Sequence, residues 1–139
     1  MKPFEYMEHT ADAGMRVKGK TLKSLFNHAA QGLFEMIAVV DTIDENTSIA
    51  VDIVAESVEM LFVKWLDELI FRHETDEIFF KRSNIQNINS NELSAQVYGE
   101  PTNFDKHIVY TEIKAVTYHQ LSVIQNPNGV WEAQVIFDL

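Results

Sequence analysis

The sequence predicts a single α+β domain in which a mainly antiparallel or mixed β-sheet packs against two amphipathic α-helices. Three observations carry this. Two segments repeat apolar residues every three or four positions, the spacing of one helix face, while others alternate apolar and polar residues, the spacing of a half-buried strand. The connections implied are mostly short, and no composition break, repeat or low-complexity run marks a linker. With 139 residues, 46% hydrophobic and 11% aromatic, the whole of 1–139 is enough to close one core and bury roughly two-thirds of its unfolded surface.

A strand or two is expected before the first helix, one of them over 14–18, with Asp12 and Gly14 reading as turn residues at its start. Segment 21–38, TLKSLFNHAAQGLFEMIA, aligns Leu22, Leu25, Phe26, Ala29, Leu33 and Ile37 behind an N-cap at Thr21. A second helix, over 57–74, starts at the cap Ser57 and places Val58, Leu61, Phe62, Trp65, Leu66, Leu69 and Ile70 on one stripe. Both stripes read as core. Period-two segments at 48–55, 77–85, 92–99, 111–124 and 130–138 read as strands, and the polar stretch 84–92 as a loop or edge extension. The QNPNG turn at 125–129 makes the last two strands an antiparallel hairpin. The resulting order, ββ-α-β-α-ββββ, suggests two helices covering one face of one sheet.

Composition excludes several functions. Eleven Lys and Arg against 21 Asp and Glu leave a net charge of −10. That is the wrong sign for strong direct nucleic-acid binding through counterion release, and it suits solubility, cation capture or a basic partner. There is no cysteine, so disulfides, thiolate zinc sites and cysteine nucleophiles are excluded, and a metal would be held by oxygen or imidazole. No apolar run is long enough to span a bilayer, and the opening MKPFEYMEHTAD carries acids where a secretory signal has an apolar core. A cytoplasmic protein with no membrane association is expected.

The ending VIFDL crowds charge: the Asp138 carboxylate lies one peptide bond from the α-carboxylate of Leu139. Strand parity puts Trp131, Ala133, Val135 and Phe137 on the apolar face and Asp138 on the other. In 111–121, Glu112 and Lys114 share a face, and an exposed pair of this kind contributes under about 1 kcal/mol. His28 and His73 fall on helices and His119 on the apolar-side parity of its strand; a hydrogen-bonded structural role is the default for each. No Ser-His-Asp order, Gly-rich phosphate loop or HExxH pattern is present.

Five segments, EHTADAG (8–14), LFVKWLDELIFRHE (61–74), YGEPTNFDKH (98–107), EIKAVTYHQL (112–121) and WEAQVIFDL (131–139), occur in the order and at the chain length of one family. Together they resemble the archease family, small α+β proteins that activate RtcB-type RNA ligases in tRNA splicing. His9 and His107 lie within these segments. One departure is Ala13, where the family more often carries a larger aliphatic residue. The resemblance implies an accessory protein and not an enzyme, one that promotes ligase guanylylation and multiple turnover. It implies that Asp12 and Asp138 match the family's metal-binding aspartates, joined by the terminal carboxylate of Leu139. The cofactor implied is a divalent cation, Ca²⁺ first, with Mg²⁺ or Mn²⁺ as alternatives for an all-oxygen site. Lys106, Glu112 and Lys114 match further family motifs and become candidates for the functional surface. Two other classes stand beside this reading: a small divalent-metal-dependent hydrolase using Asp12 and Asp138, and a chaperone-like module that holds proteins through an exposed apolar patch.

Overall fold

A computed structural model describes residues 3–8 and 12–139. Strands β1 (Phe4–Glu8) and β2 (Asp12–Gly19) precede helix α1 (Leu22–Ile37), a 3₁₀ turn (Val40–Thr42) and β3 (Thr47–Val54); helix α2 (Val58–Thr75) then leads into β4 (Ile78–Ile88), β5 (Glu92–Pro101), β6 (Ala115–Gln125) and β7 (Trp131–Asp138). The order is the expected one. The strands, however, form two sheets and not one: β1-β2-β7-β6 and β3-β5-β4, with every pairing antiparallel. Alternation tells which side chains of a strand are buried but not which strand lies beside it, so a second sheet leaves no mark in the period.

Each helix begins where its cap demands. Thr21 Oγ1 accepts from the Ser24 amide at 3.1 Å while Ser24 Oγ accepts from the Thr21 amide at 3.0 Å, a reciprocal capping box. Ser57 Oγ accepts from the Met60 amide at 3.2 Å. α1 packs on β2 of the larger sheet and β4 of the smaller, and α2 packs on β6 and touches β3 and β4. The helices therefore join the sheets through one core, in which Met15, Phe26, Leu33, Phe62, Trp65 and Phe137 are fully buried. Trp65 Nε1 donates to the Phe26 carbonyl at 2.9 Å, so the polar atom of the largest core side chain is satisfied where the helices meet.

Three local expectations change. Asp12 and Gly14 are not turn residues but belong to β2, paired with Asp138 and Ile136. The last hairpin forms as expected, but β6 starts at Ala115 instead of 111, because its partner β7 ends at Asp138 and earlier residues have no ladder to join. Its register also breaks between Thr117 and Ser122, with Gln120 at φ 54°, so the parity count fails and His119 is exposed, not on the apolar side. Within 84–92, the chain is both edge and loop: β4 continues to Ile88 as an edge strand, and Asn89 Oδ1 then accepts from the amides of Asn91 and Glu92 to make the turn. His9 lies outside the described residues.

Candidate functional site

The strand register brings the acidic residues together. Asp12 of β2 stands opposite Asp138 of β7, and Asp138 stands opposite Ala115 of β6 on its other side. Directly paired residues of an antiparallel ladder project to the same face with Cβ atoms about 5 Å apart, so two like charges here repel. The Lys114 amide donates to the Asp138 carbonyl at 2.9 Å, which completes three adjacent chains around this point. Asp138 is exposed and Asp12 half-buried. Asp12 Oδ1 is buried and has no hydrogen-bond partner among the described residues. A buried carboxylate oxygen left unpaired is costly unless a cation or donor meets it.

Beside Asp12 lies a cleft of about 550 Å³ lined by Tyr6, Asp12, Ala13, Glu35, Met36, Tyr110, Thr111 and Leu139. It is built from the start of β2, the last turns of α1, the residue after β7 and the segment before β6. That segment is fastened to α1: the amides of Tyr110 and Thr111 donate to the Ile37 carbonyl at 2.8 and 3.3 Å, and the Val39 amide donates to Ile108 O at 2.9 Å. The helix end has neither glycine nor a basic residue, and these two amides occupy one of its free carbonyls. Tyr6 donates its hydroxyl to the Gly32 carbonyl at 2.9 Å; burial, and then the nearby Glu35 charge, push its pKa up, so it stays a donor. Glu35 Oε2 accepts from Gln31 Nε2 at 3.0 Å. The donors facing the cleft are oxygens, the set preferred by Ca²⁺, Mg²⁺ and Mn²⁺. Among the described residues no three His, Cys, Asp or Glu side chains converge closely enough to hold a metal by themselves. The ladder places Asp12 opposite Asp138, and Asp12 and Leu139 both line the cleft.

The other expected residues sit differently. Lys106 Nζ binds Asp44 Oδ2 at 2.7 Å and Glu100 Oε1 at 2.6 Å, in a cluster with His107. Glu112 and Lys114 are both exposed in the irregular segment before β6, and among the described residues neither side chain makes an ion pair. Glu100 is the residue the sequence reading missed. It is buried, and it accepts from Lys106, His107 Nε2 at 2.7 Å, the Asp44 amide at 3.0 Å and Asn46 Nδ2 at 3.1 Å. The signal available was a carboxylate adjoining the inward parity of β5, with a lysine and a histidine close behind it in the chain. The Asn103 amide donates to His107 Nδ1 at 3.0 Å, so the ring proton sits on Nε2 and points at Glu100. His28 and His73 each turn Nδ1 to a backbone carbonyl, those of Lys18 and Ile78, in structural roles.

Residues 4–139 match the sequence profile of the archease protein family (MTH1598/TM1083). The chain belongs to the archease family. A protein archease of Methanosarcina barkeri is 36% identical over 99% of this chain and 97% of its own length, and one of Pyrococcus furiosus 33% identical over 100% of both. The solution structure of Methanobacterium thermoautotrophicum protein 1598 superposes with a TM-score of 0.83 at 34% identity and covers 100% of each chain. A crystal structure from Thermotoga maritima, described as an archease and possible chaperone, has a TM-score of 0.69 at 25% identity, over 96% of this chain and 94% of its own. The archease fold thus spans the entire chain.

Proposed function

We propose that this protein is a metal-dependent accessory factor of an RtcB-type RNA ligase, acting in tRNA splicing or RNA repair by promoting ligase guanylylation and multiple turnover. The observation that carries this reading is the pairing of Asp12 with Asp138, with one Asp12 oxygen buried and unmatched among the described residues. Asp12, Asp138 and the carboxylate of Leu139 hold the ion in this reading, and Glu35 lines the cleft beside Asp12 and Leu139 as a further negative charge. A bound Ca²⁺, or Mg²⁺ or Mn²⁺ in its place, neutralises the crowded carboxylates and offers a positive centre at the protein surface. Archease family membership supports an accessory role, and a net charge of −10 suits a partner whose RNA-binding face is basic.

The test is joining of tRNA halves by the ligase of the same organism, with wild type, Asp12→Ala and Asp138→Ala. Wild type is expected to stimulate joining and raise the guanylylated fraction, and both variants to lose this. Equal stimulation by all three would overturn the metal role, and none by wild type would overturn the partner.

A second reading, a chaperone-like module, is favoured by the exposed Phe104, Ile108 and Tyr110 and by the description of the Thermotoga maritima relative. It expects suppression of aggregation of unrelated unfolded proteins that persists in excess chelator.

A further inference from the structure

The segment between β5 and β6 presents Phe104, Ile108, Val109 and Tyr110 to solvent at 77, 55, 43 and 65% exposure. Four large apolar side chains are thus exposed within seven residues of one connecting segment, in a chain of such negative charge, and exposure of this kind marks interaction sites. The segment is also rigidly built. His107 is buried beneath it and bonded to Glu100, Asn103 O accepts from the amides of Lys106 and His107 at 3.0 and 2.7 Å, Asn103 Oδ1 accepts from the Asp105 amide at 3.0 Å, and Val109 bridges to Ala38. Flexible loops hide apolar groups or stay polar, whereas here the backbone bonding holds the side chains outward. Such preorganisation lowers the ordering cost of binding.

The segment runs directly into the carboxylate cleft, because Tyr110 and Thr111 line that cleft alongside Asp12, Glu35 and Leu139.

We infer that Phe104, Ile108 and Tyr110 form the docking lip of this protein, seating in an apolar hollow with a basic rim on its protein partner. This rests on the accessory role proposed above and assigns the partner's contact chemistry: an apolar hollow flanked by basic side chains. Charge complementarity selects this occupant over a second copy of the chain, which carries the same net charge of −10.

The experiment measures binding of the cognate RNA ligase to immobilised wild type, Phe104→Ser/Ile108→Ser and the control Ile124→Ser, which alters an exposed apolar residue on β6 away from the lip. Ca²⁺ titration of each variant without ligase is the second readout. The double variant is expected to bind ligase about tenfold or more weakly with an unchanged Ca²⁺ isotherm and an unchanged thermal midpoint, and the control to bind as wild type does. Equal ligase affinity for the double variant and wild type would overturn the lip while leaving the accessory role standing. Wild type that fails to bind ligase would overturn both. Wild-type dimers that dissociate in the double variant would overturn it in favour of self-association.

Discussion

His107 donates its Nε2 proton to Glu100, 2.7 Å away, from a ring with no solvent-exposed side-chain surface. Lys106, then His107, then the Asp44 amide hold the Glu100 carboxyl down to about 2 from its ordinary 4.5. A carboxyl whose pKa is depressed on folding contributes stability that is complete above its unfolded value and lost as the pH falls through the folded one. The window here is therefore about pH 4.5 to 2. Thermal melts are expected to show wild type above Glu100→Gln at neutral pH, with the gap closing across that window. A gap constant down to pH 2 would show that Glu100 acts through packing and not charge.

The Asp12–Asp138 pair makes opposite demands with and without an ion. In chelator, Asp138→Asn removes a cross-strand repulsion and is expected to raise stability by about 0.5 kcal/mol. If Ca²⁺ binds as proposed, then at roughly one hundred times its dissociation constant wild type is expected to gain about 2.7 kcal/mol and the variant much less. Denaturant melts in both conditions check the crossover, and the same Ca²⁺ gain in each protein would exclude Asp138 as a ligand.

Gly99 on β5 lies where the β4 register slips between Phe80 and Arg82, and a Cβ there would sit 2.0 Å from the Phe79 carbonyl oxygen. Backbone cannot yield as a side-chain tip does. Gly99→Ala is expected to cost about 3 kcal/mol, read as a lower urea midpoint. It should also loosen the neighbouring Glu100, seen as a shallower acid dependence of the melt.

Where local chemistry decides, the fold was legible. Thr21 and Ser57 announce their helices by caps that act within four residues, and the alternation of Ala133, Val135 and Phe137 follows from one strand meeting one core. What escaped depended on partners distant in the chain. The start of β6 at Ala115 is set by where β7 runs out, and the exposure of His119 by a bulge that no residue type near Gln120 signals. The acidic pair was reached through resemblance, since spacing alone cannot align residues 12 and 138. Glu100 was passed over because its partners come from Asp44 and Asn46 as well as from the nearby loop.

The bonds from Tyr110 and Thr111 to Ile37 carry a consequence for biogenesis. The first helix emerges early in translation, yet its closing turn is completed by amides made much later, after the second sheet. Until then that end of the helix is free to fray, and the acidic cleft it borders cannot take shape on a nascent chain. Non-local closure of this kind slows folding, so protection of the Tyr110 and Thr111 amides should appear last among the measurable events of refolding.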